Sequence, residues 1–512
     1  MPGITSQETG RWRLGFDIGG TFTDFVLVDA ATGGITLHKC LTTPQDPAEG
    51  ALAGMRAITD AAGIAVADLA EVVHGTTLVT NALIERRGAA TGLLTTRGFR
   101  DVLELGIEQR YDIYDLFLRF PDPIVKRRHR LEIGERLGFD GRRIAPLDEA
   151  EVRAAGARLV AEGCTAIAVC FLHAYVDPAH ERAAAAVLRA AFPTLSISLS
   201  SEVAPEIREY ERSVTTCANA FVQPLMDRYL GRLTREMDAL GFRGTLRLMQ
   251  SDGGLCAPEV ARAFPIRLLE SGPAGGALAT VLFARAAGLP DALAFDMGGT
   301  TAKACLIENG RAEIAPMMEA ARVHRFKRGS GLPIRAPVVD MIEIGAGGGS
   351  IAGVDETGLV KVGPHSAGAD PGPACYGRGG TEATVTDANL LLGYYDPGFF
   401  LGGAMALDRG AAEAALARLG EKLGLGAIEA AWGVHAVVCE AMAGAARVHL
   451  VEKGRDPRRY AMVAFGGAGP AHAARVARIL GIAEVLVPPA SGAASALGFL
   501  AAPLAFEQSR SL

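Results

Sequence analysis

The chain has 512 residues, 49% of them apolar and 21% charged, with a formal net charge of -6. That length exceeds what one compact core normally holds, so two or three lobes are expected, and the small, mixed charge excludes a field aimed at nucleic acid or a membrane surface. No run of 18 apolar residues and no apolar leader core in MPGITSQETGRWR is seen, and the eight cysteines (Cys40, Cys164, Cys170, Cys217, Cys256, Cys305, Cys375, Cys439) form no C-x-x-C pair, which argues against a disulfide framework or zinc ribbon and for a reducing cytoplasm.

In chain order, residues 13–29 predict strand, Gly-Gly turn, strand, and the Ala-rich stretch 47–63 predicts a helix. EVVHG ends a short strand at 75, and a helix starts near Thr77. Residues 101–147, charged and aromatic with several prolines, read as a segment inserted in the N-terminal lobe. Helix resumes over 148–162, AIAVCFL (166–172) is a buried strand, and 206–240 is one long helix or two meeting near Pro224. That element is the expected boundary between an N-terminal lobe (11–205) and a second lobe (206–505). TLRLMQSDGG then gives a strand into a glycine turn, and SGPAGGALATVLFARAAG a glycine turn into a helix. LAFDMGGTTAKACLIENG (293–310) is again strand, Gly-Gly turn, strand. After a Gly-rich stretch (344–380), residues 426–452 form a helix, YAMVAFGGAGPAHAARVARILG is strand, Gly-Gly turn, helix, and VLVPP (485–489) is a last strand. This alternation marks an α/β protein.

One internal repeat organises the rest. FDIGGTFTDFVLVD (16–29) matches FDMGGTTAKACLIE (295–308), pairing Asp17 with Asp296, Gly19–Gly20 with Gly298–Gly299, and Thr21 with Thr300. Glycines between two strands let backbone N–H groups approach a polyanion, the threonine adds a hydroxyl donor, and the aspartate suits the water shell of Mg²⁺. Two such hairpins on opposite walls would grip one Mg-triphosphate. In the third motif, Gly466–Gly467 precede a helix starting near Pro470, where a flat adenine or ribose fits against backbone and the helix N-terminus favours anions. Together the three elements resemble the phosphate-1, phosphate-2 and adenosine motifs of the actin / sugar kinase / heat-shock ATPase superfamily. The resemblance implies two actin-like (RNase H-like) lobes flanking an ATP cleft. Competing motifs fail: there is no G-x-x-x-x-G-K-[ST] and no G-x-S-x-G, and GAGGGS (345–350) lacks the spacing and acidic partner of a dinucleotide loop.

Further motifs occur in order: HGTTLVTNALIER (74–86), YERSVTTCANAFVQP (210–224), ESGPAGG (270–276), EIGAGGGSIAGVD (343–355), GPHSAGADPGPACYG (363–377), TVTDANLLLG (384–393) and FGGAGPAHA (465–473). With the two hairpins they resemble the hydantoinase A / 5-oxoprolinase family over about residues 13–500. The resemblance implies a cytoplasmic A-type subunit, working with a B-type partner in a heteromeric complex, that uses Mg-ATP to phosphorylate a carbonyl oxygen of a cyclic amide or imide before hydrolysis. Behind that reading it also admits the β-type subunit of an ATP-dependent ketone carboxylase, an ATP-binding paralogue without turnover and, least favoured because nucleotide gating alone does not need the HGTT and SAGADPGP segments, a nucleotide-gated regulator. Carried over by position, Asp17 and Asp296 organise Mg²⁺ and the γ-phosphate. Gly19, Gly20, Thr21, Gly298, Gly299 and Thr300 cradle phosphates, and Gly466 and Gly467 line the adenosine pocket. On the substrate side stand His74, Thr76, Thr77, Asn81 and the 366–373 loop with Ser366 and Asp370. Some roles stay open at this level. His74 is catalytic or a satisfied core ring, Asp370 reads substrate or shapes a turn, and Glu343 and Asp387 bind metal or cap. Lys303, at the place of Asp24 in the repeat, meets phosphate or solvent. Cys375 reads better as a packed thiol than as a nucleophile. Family members continue into a further C-terminal domain after the segment PPASGAASALGFL (488–500), whereas this sequence stops at Leu512, so that domain is expected to be encoded separately, lost or cut off by truncation.

Overall fold

The computed structural model describes residues 10–43, 46–324, 327–506, 509 and 511; residues 1–9, scanned above for a leader, lie outside it. Strands β1 (Trp12–Ile18) and β2 (Phe22–Asp29) pair antiparallel across the first Gly-Gly-Thr turn, and β3 (Gly34–Leu41) adds to β2. Helix α1 (Pro47–Ala62) covers one face, and β4 (Leu69–Thr76) lies parallel to β1, followed by α2 (Leu78–Ile84). Alternation along β2 feeds two cores: Phe25 and Leu27 pack with Met55 and Ile58 of α1, while Val26 and Val28 face the opposite side. A sheet covered on both faces explains the near-continuous apolar run of these strands.

A second sheet follows, of β5 (Thr91–Thr96), β6 (Arg130–Ile133), β7 (Ala166–Cys170) and β8 (Ser196–Leu199), all parallel in the order β8-β7-β5-β6. The inserted unit is thus larger than 101–147, and part of that segment is the edge strand β6. Its stretch around Ile113, Tyr114, Leu116 and Phe117 is strongly exposed. Next, α3 (Glu209–Ala239) is a single helix that carries Pro224 inside it. An outside donor serves its backbone nearby, Ala89 N to Phe221 O at 2.8 Å, and burial of one long face offsets the ~3 kcal/mol that an internal proline costs.

Strands β9 (Thr245–Met249) and β10 (Leu255–Cys256) then return to the first sheet, completing the order β10-β9-β4-β1-β2-β3. The first sheet therefore takes strands from both sides of residues 205–206. The helix is a local signal; the parallel pairing of β9 with β4 is long-range and invisible to it.

After α4 (Ser271–Ala286) come β11 (Ala292–Met297) and β12 (Ala302–Glu308), the second hairpin, then β13 (Arg311–Ala312) and β14 (Met341–Ile344). Helices α5 (Val385–Leu391) and α6 (Ala427–Glu452), β15 (Ala461–Phe465), α7 (Gly469–Leu480), β16 (Val485–Leu486) and α8 (Ala494–Phe499) complete the second lobe. Its sheet runs β13-β12-β11-β15-β16, with β14 also on β12. Helix α6 is long and apolar enough to cross a membrane, but here it packs against α5 and α7 as a core helix. Helices α4 and α8 share a core with strands of both lobes: Val26 and Val73 from one, Ala294 and Val463 from the other. They cross at glycines; a Cβ built on Gly498 would stand 1.9 Å from Gly275 O.

Candidate active site

The two repeated hairpins are built alike. Gly19 N donates to Phe22 O and Gly298 N to Thr301 O, each at 3.0 Å, so the same residue closes each turn. The tips meet: a Cβ on Gly299 would lie 3.2 Å from Thr21 Oγ1. Gly20 and Thr300 are exposed there, and Thr21 is buried.

Behind the tips stand the two aspartates, each hemmed in by glycine. Cβ atoms on Gly75 and Gly272 would approach carboxylate oxygens of Asp17 to 3.2 and 2.9 Å. The motifs HGTT and ESGPAGG thus press against Asp17. A Cβ on Gly466 (φ +83°) would meet both Asp296 Oδ1 and Met297 O at 2.4 Å, so the third motif abuts the second carboxylate. Gly467 is exposed, with nothing within 4 Å of a built Cβ.

In strand register Asp17 faces Asp24, whereas Asp296 faces Lys303. Burial, then the charges of Asp24 and Asp296, push the Asp17 carboxyl up to about 7, against Lys303 and Lys39. Asp296 rises to about 6, chiefly through burial, with Lys303 opposing. Asp24 is also raised by burial while Lys39, 2.5 Å away, holds it down. Lys303 Nζ bonds Glu270 Oε2 at 2.7 Å. Burial disfavours its charge, but Glu270, Glu343 and Asp296 outweigh that and hold it above an ordinary lysine. Glu343 stands opposite Lys303 on β14 and acts as its charge partner. Counted ionised, the carboxylates of Asp17, Asp24, Asp296, Glu270 and Glu343 outnumber Lys39 and Lys303 by three charges. Asp17 Oδ1 is buried with no hydrogen-bond partner among the described residues. An oxygen-only donor set, an orphaned carboxylate oxygen and an excess of negative charge together fit a hard divalent cation such as Mg²⁺.

The substrate-side candidates divide. Thr77 Oγ1 donates to Ile18 O at 3.1 Å, fixing the HGTT turn to the end of β1. Thr76 is clamped by Ser271, whose Oγ accepts from Thr76 N and donates to Thr76 O. Asn81 is exposed and donates to Thr77 Oγ1 at 3.3 Å. Ser366 packs on Gly349, where a Cβ would stand 2.9 Å from its Oγ, so the 366–373 loop leans on the second hairpin; Asp370 is exposed. His74 is not brought to the cleft. Its side chain points into the core, stacked on Phe16 and paired through Nε2 with Tyr229 Oη at 2.7 Å, and burial drives its pKa down to about 3. Along β4 successive side chains alternate, and it is Gly75 that faces Asp17.

Other open readings close. Asp387 accepts from Cys375 N (2.8 Å), Thr384 N (2.9 Å) and Thr384 Oγ1 (2.7 Å), so it caps α5 and holds the Cys375 turn. Cys375 is fully buried, its thiol held well above the ordinary range by burial and then by Asp387. Sequence reasoning missed GAGGGS. Gly348 N and Gly349 N donate to Gly298 O (3.0 Å) and Gly299 O (2.7 Å), and a Cβ on Gly347 would stand 2.5 Å from Thr300 backbone. Three successive glycines marked close backbone approach, but the partner was another loop. Glu270 was missed as well.

A buried His435–Cys439–His472 cluster has residue types that bind metals. One pair of tautomers satisfies it without an ion. Asn389 Nδ2 donates to His472 Nε2 (2.9 Å), His472 Nδ1 to Cys439 Sγ (3.3 Å), Cys439 Sγ to His435 Nε2 (3.6 Å) and His435 Nδ1 to Asn389 Oδ1 (3.0 Å). The two rings are also stacked, which points their lone pairs alongside rather than at each other. This closed ring ties the first turn of α7, just after Gly466–Gly467, to α5 and α6.

Two lobes joined through shared central helices, each opening with the same glycine hairpin, define an actin-like ATPase fold. The solved structure of ATP-dependent caprolactamase from Pseudomonas jessenii matches 95% of this chain and 70% of that one, at TM-score 0.80 and 39% identity. A nucleotide-free acetone carboxylase structure matches 96% and 70%, at TM-score 0.83 and 29% identity. Family models described as hydantoinase/oxoprolinase and its N-terminal region match residues 212–508 and 13–192. The chain belongs to the hydantoinase/oxoprolinase family. Among curated relatives, an uncharacterised protein of Methanocaldococcus jannaschii is 39% identical over 98% of this chain and 74% of its own length. Caprolactamase subunit alpha of Pseudomonas jessenii is 38% identical over 97% and 71%.

Proposed function

We propose that the protein is the A-type subunit of an ATP-dependent cyclic amide hydrolase. The carrying observation is the meeting of two Gly-Gly-Thr hairpins in front of Asp17 and Asp296. Bound Mg-ATP would supply a transferable phosphoryl group, turning a poorly reactive amide carbonyl into one with a good leaving group. For their part, Asp17 and Asp296 would hold the cation, and Gly20, Thr21, Gly299 and Thr300 would present donors to phosphate oxygens. Gly466 and Gly467 leave room for adenosine, and the HGTT turn with the Ser366 and Asp370 loop borders the acceptor. Closure of the lobes would exclude water during transfer. Eight free cysteines support a reducing cytoplasm, and the subunit names of several relatives support a B-type partner.

A ketone-carboxylase role is the second reading, supported by 33% identity to the acetophenone carboxylase gamma subunit of Aromatoleum aromaticum and by the acetone carboxylase structure. To decide, the chain is co-expressed with its neighbouring B-type subunit. Phosphate release from Mg-ATP is then measured with 5-oxoproline, hydantoins, caprolactam, and ketones plus bicarbonate. Release stimulated by a cyclic amide and lost in Asp17→Asn and Asp296→Asn is expected. Stimulation only by ketone with bicarbonate moves the protein to the carboxylase branch, and no release from folded, ATP-binding protein sinks both.

A further inference from the structure

The turn between β8 and α3 takes no part in the nucleotide cleft, yet it walls a cavity of about 260 Å³. Glu202, Pro205 and Glu206 come from that turn, and Arg267 from the residues just before α4. Pro316, Arg335 and Pro337 come from the excursion between β13 and β14. At ~30 Å³ per water-sized group the space takes roughly eight or nine of them, so a small molecule fits and a nucleotide does not. The three prolines have a fixed φ and no N–H to satisfy, which makes their wall rigid before anything binds.

The lining carries both charges. Arg335 donates through Nη1 to Glu206 Oε2, the one acceptor its guanidinium has among the described residues, and its Nε lies buried without any. The other Glu206 oxygen accepts from Ser509 Oγ at 2.6 Å, so that carboxylate is already committed. Glu202 is exposed and has no hydrogen-bond or ion-pair partner among the described residues. Arg267, over the Phe264 ring, brings a second guanidinium. Two guanidiniums and two carboxylates balance. A lone anion would meet Glu202 and Glu206, and a lone cation would meet Arg267 and Arg335. A molecule with one charge of each sign finds a partner for both. The cavity also adjoins the cleft along the chain. Ser251 Oγ donates to Arg267 O at 2.8 Å and accepts from the N–H of Glu270, the acid that holds Lys303, at 2.9 Å.

We propose that this cavity binds a short amino acid as its zwitterion: the carboxylate accepts from Arg335, the ammonium donates to Glu202, and the prolines cover the carbon chain. Hydrolysis of a lactam makes such a molecule. The ring C–N bond breaks, the carbonyl carbon takes the water oxygen, and the nitrogen takes both water protons, which leaves a carboxylate and an ammonium on one chain. Reading the ligand as reaction product deepens the proposed function and rests on it; the site itself stands on the cavity and its balanced charges.

The test uses the full chain without nucleotide, so that it is separate from ATP turnover. Binding of 4-aminobutanoate, butanoate and butylammonium is followed by calorimetry and ligand-observed NMR. Wild type is compared with Glu202→Gln, Arg335→Gln and Asp17→Asn, and thermal melts report that each variant is folded. Exposed Glu202 keeps the test sharp even where Arg335→Gln fails to fold. Saturable 4-aminobutanoate binding is expected, about fivefold or more tighter than that of either singly charged compound and weakened about as much by Glu202→Gln and by Arg335→Gln. Asp17→Asn should leave it unchanged. No saturable binding, butanoate or butylammonium bound as tightly as the amino acid, or full affinity in Glu202→Gln overturns the proposal. So does loss of binding in Asp17→Asn, which would place the amino acid in the cleft. Failure here together with amide-stimulated phosphate release would leave the proposed function standing and remove only this site.

Discussion

The two hairpins share a turn, a glycine pair and an aspartate, but not their charge. In the first, Asp17 faces Asp24 across the register, with Lys39 of β3 on Asp24. In the second, Asp296 faces Lys303, which Glu270 holds from the N-terminal end of α4. A repeated backbone has thus been given unlike side chains. The acid pair suits a cation and the acid–lysine pair suits phosphate, so one site needs both lobes and neither half is a copy of the other's task.

The largest expected effect is on turnover. Asp17→Asn lowers substrate-stimulated phosphate release by roughly 100-fold or more, as does Asp296→Asn, measured under saturating Mg-ATP. Stability should move the other way. Asp17 is an acid whose folded pKa, about 7, lies above the unfolded value of 3.8. The folded state therefore keeps a proton the unfolded state has lost, and stability falls as pH rises from about 4 to 7, the cost being full above that. Asp17→Asn should flatten that slope and raise the nucleotide-free Tm at pH 8, by roughly 1 °C per kcal/mol relieved in a chain of this length. A lower Tm at pH 8 would contradict the electrostatic reading of the pair.

Next come Lys303→Met and Asp24→Asn, the substitutions that separate the hairpins. Lys303→Met should cut kcat/KM for ATP about tenfold or more with the Mg²⁺ requirement unchanged. Asp24→Asn should shift the Mg²⁺ concentration needed for half activity. Equal effects of both on both readouts would erase the proposed division. A smaller contrast lies in the third motif. Gly466→Ala meets a positive φ and two oxygens at 2.4 Å, and costs about 1–3 kcal/mol or more of stability. Gly467→Ala has open space and should stay within ~0.5 kcal/mol, so thermal melts of the two suffice. Smallest of all, Cys375→Ala should leave turnover near wild type, and full inactivation would restore the thiol as a nucleophile.

The repeat made the architecture readable, because the two copies show the period-2 pattern and the glycine turn together. Helix over 209–239 and the third Gly-Gly turn were legible for the same reason, each signal being local, but whether the helix runs unbroken through Pro224 was not. What escaped was long-range. Pairing of β9 with β4 brought a strand from beyond residue 206 into the first sheet, and Arg130–Ile133 joined a sheet that its charged, proline-rich surroundings disguised. His74 lay one residue from the position that faces Asp17, and only strand phase, fixed by pairing with β1, decides between them. Lys303 found Glu270 33 positions away, and GAGGGS found a loop rather than a nucleotide.

The central claim is that both hairpins hold one nucleotide through one divalent cation. Calorimetric titration of ATP into the chain, with and without Mg²⁺, in wild type, Asp17→Asn and Asp296→Asn tests it directly. One site per chain is predicted, dependent on Mg²⁺ and weakened by either substitution. Binding that ignores Mg²⁺, or that survives intact when either aspartate is replaced, would contradict it.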